Sequence, residues 1–252
     1  MAPTNDADPP PGTSAPGTSA TRGTPVGRRA FLGLLGLGAL GVAGGATVQR
    51  WLERTIGPVV ARDPTGFLSL LPIGRFRIYT VTGSLPDRSR AEYRLAVRGL
   101  IDRDLQLDFA DLVAMEPTHI TRDFQCVTGW RVPDVAWTGV RLRDLLDRAG
   151  VDARATAVRF VSFDGAYSES LTLEQARRDD VLVAYELEGE PISRAHGGPA
   201  RLYVAPMYGY KSCKWLEAIE LTEKVEPGYW EQRGYDVDGW VGRSNGRDDE
   251  AT

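Results

Sequence analysis

The chain has 252 residues and a formal net charge of −4, with 42% apolar and 25% charged residues, the balance of an ordinary globular protein of one or two domains. The acidic excess argues against a nucleic-acid binder held by phosphate attraction. Two Cys and two His exclude a disulfide-stapled scaffold, and their spacing fits neither a four-ligand zinc site nor a CxxCH haem attachment.

Residues 1–27 hold six Pro, four Gly, five Thr and two Ser, a composition that cannot offset its chain entropy by burial and predicts a disordered extension. Arg28 and Arg29 follow, then Ala30-Phe31-Leu32 and an uncharged run to Val48. Paired arginines before a weakly apolar run of spanning length resemble a twin-arginine export signal over 28–50. Export to the periplasm or another extracytoplasmic space is therefore expected. Ala43-Gly-Gly-Ala46 offers small residues without Ala-x-Ala, so cleavage and retention as a membrane anchor both stay open. Residues 51–252 suffice for one domain with its own core.

Within that domain, Tyr93–Arg98 alternates and ends at Gly99, a strand before a turn. Val140, Leu142, Leu145, Leu146 and Ala149 mark one helical face, with Gly150 as its stop. Ala157–Phe163, Val181–Leu187 and Arg201–Ala205 read as strands. Thr172-x-x-Gln175 has the form of a capping box. Trp215, Ile219 and Leu221 recur at even spacing and predict a half-buried strand over Lys214–Thr222. Strands outnumber helices and do not alternate regularly with them, which favours an α+β fold over a doubly wound sheet. No GxGxxG and no phosphate-binding Gly-rich Lys-Ser/Thr loop is present.

Two stretches carry chemistry. In Arg122-Asp-Phe-Gln-Cys-Val-Thr-Gly-Trp-Arg131, Cys126 closes a strand-like run before a Thr-Gly turn, where a soft thiolate could face a cavity and hold a metal. The alternative is a small buried hydrophobe. The second stretch places His196, Arg201, Lys211 and Lys214 within 19 residues, interleaved with Gly. Two of the chain's three Lys sit there. Gly permits close backbone approach and the cations suit a phosphate-bearing ligand; the alternative is a solvated turn between strands.

Taken together, Phe-Gln-Cys-x-x-Gly-Trp, Trp137-x-Gly-Val-x-Leu-x-x-Leu-Leu146, His-Gly-x-Pro-x-Arg-Leu and Tyr208-Gly-x-Lys-Ser-x-Lys-Trp215 resemble, in order, the sulfite-oxidase superfamily of molybdopterin enzymes. The likeness spans about Ile73 to Trp240. It is greatest to the bacterial members made of the molybdenum domain alone, the methionine-sulfoxide reductase catalytic subunits among them. The resemblance implies a mostly β fold of mixed sheets with short helices around one Mo-molybdopterin. It implies Cys126 as metal ligand, and His196, Arg201, Lys211, Ser212, Cys213 (mainly through its backbone) and Lys214 around the pterin and its phosphate. Tyr235 matches an active-site Tyr, with plain aromatic packing as its alternative. Tyr79 and Thr80 could line the pterin pocket.

Two departures from the sulfite oxidases bear on substrate. Counting back from Pro86, Thr80 stands where they carry an anion-binding Arg. Arg77 lies an odd step from it and, in a strand, would point to the other face. The Cys is followed by Val-Thr-Gly-Trp-Arg, with a single Arg at 131. Both changes predict less positive charge near the metal and disfavour a small dianion. Against the methionine-sulfoxide reductases, His196 stands where they carry Asn. The expected reaction is oxygen-atom transfer, with sulfoxide reduction preferred over sulfite-type oxidation, in a monomer that exchanges electrons with an external partner, a membrane haem or quinone-linked protein. Two other readings compete: a non-catalytic exported binding module, and a thiol redox protein using Cys126 and Cys213.

Overall fold

The run Val181–Leu187 is apolar at nearly every position, and all but Glu186 are buried. A strand with that pattern must be covered on both faces, and it is. The computed structural model describes residues 75–252; the expected extension over 1–27 and the export signal over 28–50 lie outside the described residues. What is described is α+β, two five-stranded sheets with short helices.

The first sheet has the order β2 (Leu105–Asp108), β1 (Arg94–Gly99), β10 (Leu216–Thr222), β5 (Ala157–Ser162) and β6 (Ser168–Thr172). β1 and β10 run parallel, with Ala96 opposite Ala218; the other pairs are antiparallel. In the second sheet, β3 (Thr118–Gln125), β4 (Arg131–Arg141), β7 (Val181–Leu187) and β8 (Glu190–Pro191) follow in order, and β9 (Arg201–Val204) also pairs with β7.

β7 separates two hydrophobic cores. Val181, Val183 and Tyr185 pack into the larger one, together with residues of the first sheet and of helix α2 (Leu142–Ala149). Leu182 and Ala184 face the other way, into an aromatic-rich core with Phe124, Trp130, Trp137 and Tyr203. This follows from the period of two along a strand. The ring centroids of Trp137 and Tyr203 lie 4.1 Å apart, stacked.

The two predicted helices form where the sequence places them. Leu142, Leu145, Leu146 and Ala149 are buried on one face of α2, and Gly150 ends it at φ 73° with its N–H on the Leu146 carbonyl at 3.0 Å. Val140 belongs to β4 instead. The Thr172 box opens the one-turn helix α3 (Leu173–Ala176), with Gln175 N–H donating to Thr172 Oγ1 at 3.1 Å. A second box, Asp108 with Asp111, opens α1 (Phe109–Val113) and was not read from the sequence.

Three expected strands shift at an end by one residue, and one begins two residues late. β10 begins at Leu216, and Trp215 sits outside it at φ 52°, in the left-handed region that bulky residues avoid. Two bonds hold it there: its backbone N–H donates to the Gly197 carbonyl (3.0 Å) and its indole to the Arg194 carbonyl (2.9 Å). The even spacing of Trp215 with Ile219 is thus coincidental, and the Trp215 ring turns toward a cavity between the sheets' loops.

Candidate functional site

β3 ends at Gln125, and the chain reverses through a tight turn. Gly129 N–H donates to the Cys126 carbonyl (3.0 Å) and Cys126 N–H to the Trp130 carbonyl (2.9 Å). Gly129 takes φ 101°, which suits a residue without Cβ. The turn fixes the Cys126 thiol at the strand end, 3.2 Å from Thr128 Oγ1. The thiol lines a cavity of about 330 Å³. Burial pushes its pKa up, against the hydrogen bond from Thr128 and the charges of Arg247 and Arg77.

A second wall comes from residues 70 to 90 positions later. Arg201, the first residue of β9, is buried. Its guanidinium donates to the carbonyls of His196 (2.7 Å), Ser212 (2.9 Å) and Leu202 (3.3 Å). Burial lowers it to about 10, so it stays charged at neutral pH. His196 lines the cavity, with Nδ1 3.2 Å from Ser193 Oγ and its ring 5.0 Å from that of Phe76. Burial, then the charges of Arg201 and Lys214, pull its pKa down and leave the imidazole neutral. Ser212 lines the cavity as well, and its hydroxyl accepts from Val204 N–H. Lys214 donates to the Tyr79 carbonyl and lies 4.2 Å from the Trp215 ring. Burial, then Arg201, lower it to about 8. Gly209 admits Phe124 to this wall: a Cβ there would sit 2.4 Å from the ring.

The rim has two further parts. Tyr79 and Thr80 line the cavity from the segment before β1. Tyr235 lines it from near the C-terminus, stacked on Trp230 with centroids 5.2 Å apart. Tyr235 and Val127 also border a second, more polar and more open hollow.

Three expectations need correction or refinement. Lys211 does not reach the cavity. It is fully buried, and its Nζ donates to Glu169 (2.5 Å), Glu231 (2.8 Å) and the carbonyls of Ser170 and Val237 (both 2.8 Å). Two carboxylates there require a cation, so its charge is spent inside the fold. Cys213 is buried and lines no part of the cavity; its carbonyl accepts from Leu202 N–H, joining β9 to the 212–214 loop. Arg77 does face the cavity, as Thr80 does. The segment from 75 to 80 is not a strand, so the alternation that would have turned Arg77 away does not apply. Both Cys are free thiols. Among the described residues no group of three or more His, Cys, Asp or Glu could hold a metal, and Cys126 is the cysteine that lines the cavity.

Thr128 and Trp215, from the quoted motifs, line the cavity as well, and so do Phe76, Asp164, Tyr167 and Trp230, which were not singled out from the sequence. Trp230, five residues before Tyr235 in an aromatic stretch, had the nearest thing to a signal. The others sit in turns or irregular segments with no motif of their own.

The oxidoreductase molybdopterin binding domain family matches residues 82–230. An uncharacterized oxidoreductase of Bacillus subtilis is 36% identical over 159 residues, covering 63% of this chain and 80% of that protein. The sulfite oxidase of Arabidopsis thaliana is 30% identical over 177 residues, 57% of this chain and 45% of that enzyme. The protein-methionine-sulfoxide reductase catalytic subunit of Ralstonia nicotianae is 28% identical over 236 residues, 81% of this chain and 71% of that subunit. Among solved structures, the sulfane dehydrogenase SoxCD of Paracoccus pantotrophus aligns with a TM-score of 0.52 at 25% identity, over 56% of this chain and 41% of that one.

The lowered Lys214 makes anion binding depend on pH. The ammonium is charged below about 8 and lost above it. Sulfate, which does not titrate in this range, should bind cofactor-free protein progressively more weakly as pH rises through about 8. Calorimetric titration should show that fall in the native chain and a flat profile in Lys214→Met.

Proposed function

We propose, for a chain that belongs to the oxidoreductase molybdopterin binding domain family, a role in removing oxygen from sulfoxide-type substrates. The chain is a molybdenum-dependent oxidoreductase and its cofactor is Mo-molybdopterin. The residues fit that group. The cavity offers one soft thiol at Cys126 and two cations, the buried Arg201 and the half-buried Lys214, brought together from 75 to 88 positions apart in the sequence. That juxtaposition is the observation that carries the reading: a thiol for the metal and basic groups for a phosphate share one hollow.

When bound, the cofactor supplies two-electron oxygen-atom transfer at molybdenum. The chain's own residues prepare the place for it. Cys126 would be the protein ligand once it gives up a proton that burial otherwise retains, with Thr128 Oγ1 in reach to donate to the thiolate. Arg201 and Lys214 neutralise the phosphate. His196, neutral and flanked by both cations, has a ring nitrogen to spare for the pterin. Ser212 would complete that side, and Tyr79 and Thr80 would border it from the segment before β1. Tyr235 stands where the cavity meets the outer hollow, the side from which a substrate would come, and would hold the substrate's oxygen.

The likeness to a methionine-sulfoxide reductase subunit over most of both chains supports the reducing direction. A second reading, oxidation of a sulfur substrate, has support in the sulfite oxidase relative. Molybdenum-loaded enzyme assayed with sulfite, sulfoxides and N-oxides separates them. Sulfoxide reduction is expected to dominate, and robust sulfite oxidation would reverse the assignment.

Electrons are proposed to come from a separate protein, a membrane haem or quinone-linked partner, and the enzyme to act as a monomer after twin-arginine export. That route carries folded proteins and so suits a cofactor buried before export. Replacing both Arg28 and Arg29 by Lys should leave the protein, still holding molybdenum, in the cytoplasm; export at the native level, read by fractionation and immunoblot, would discard the signal.

Cys126→Ala tests the centre of the proposal. Turnover should fall to background while much of the pterin stays bound, read by pterin fluorescence after denaturation. Full activity would remove Cys126 from the mechanism.

A further inference from the structure

Among the described residues, three Arg and Lys side chains line the cavity, and two are already engaged. Arg201 spends its guanidinium on three carbonyls. Lys214 holds the Tyr79 carbonyl. Arg77 differs. It is exposed at the lip, on the segment before β1. Among the described residues no hydrogen bond or ion pair engages its guanidinium.

The cations also divide by which end they serve. Arg201 and Lys214 act on His196, whereas Arg247 and Arg77 act on Cys126. Arg247 is already compensated. Its Nε lies 2.7 Å from Asp249, and its guanidinium packs over the Cys126 turn, where a Cβ on Gly129 would come within 2.9 Å of it. Among the described residues, Arg77 is left as the cavity-lining cation at the Cys126 end without a hydrogen bond or ion pair. Val127, Trp130 and Tyr235 line the same cavity, mostly apolar surface. A guanidinium at the mouth of such a slot costs little while solvated. It gains most when an anion arrives with an apolar body that fills the slot behind it.

We infer that Arg77 is a specificity-determining residue that selects substrates carrying a single carboxylate or similar monoanionic group close to the reacting sulfur. One uncompensated cation matches one negative charge, so a monoanion is favoured over a dianion or a neutral molecule. The inference rests on the oxygen-transfer reading for the chemistry, but the recognition step can be measured apart from it.

Methylsulfinylacetate and its neutral amide differ almost only in charge. With the molybdenum-loaded enzyme, kcat/KM should favour the carboxylate by on the order of tenfold, the worth of one charge-assisted hydrogen bond. The ratio should shrink as salt screens the lip. Arg77→Met should bring the ratio close to one, and Arg77→Lys should restore most of it. The unreactive sulfone pair, methylsulfonylacetate and its amide, should show the same preference by calorimetry without turnover. A ratio near one in the native enzyme, or a preference that survives Arg77→Met, overturns the inference. Preferential sulfone binding without any sulfoxide turnover would instead sink the reductase reading and leave the role of Arg77 standing.

Discussion

A buried guanidinium must find acceptors or the fold pays heavily for its desolvation. Arg201 finds three carbonyls, and they belong to three pieces of chain: the His196 turn, β9 itself and the loop at Ser212. Satisfying that one side chain therefore fixes the relative positions of most of the cavity's basic wall. His196 and Lys214 owe their placement to it, and their lowered pKa values owe part of their shift to its charge. Phe124 and Trp137 lie beneath, with the guanidinium carbon 5.7 and 5.6 Å from their ring centres. The aromatic core and the polar site are thus braced by the same group.

Lys211 shows the same logic turned inward. Glu169 and Glu231 are both buried, and burial drives the Glu169 pKa well above the ordinary carboxylate range. The ammonium between them joins β6 to the segment that carries Trp230 and Tyr235. It is a structural tie behind the cavity wall rather than a contact inside it. Composition could not separate the two uses, since Lys211 and Lys214 stand three residues apart in the same basic cluster. The distinction lies in partners from Glu169 and Glu231, distant in sequence and without a motif.

Much of the fold was legible where local chemistry and burial agree. The two-faced run of β7, the stop at Gly150 and the Thr172 box each carry their cause in adjacent residues. The β3–β4 hairpin was only half visible. Pro133 and a register shift near Phe124 interrupt its alternation, and Asp134 takes φ 53°. Trp215 misled for a related reason: long-range hydrogen bonds to Gly197 and Arg194 impose a backbone that spacing cannot announce. Within the cavity, the residues in the quoted motifs were readable. Arg77 was misjudged because strand alternation was applied to a segment that forms no strand.

The position of β7 has a mechanical consequence. Its alternate residues are wedged into both cores, and β4, β8 and β9 are all hydrogen-bonded to it. Neither hydrophobic mass can be opened without drawing the shared strand out of the other. Loosening therefore spreads from one side to the other in a single cooperative event. The cavity residues carried by β3 and β9, Phe124 and Arg201, are tied to that event.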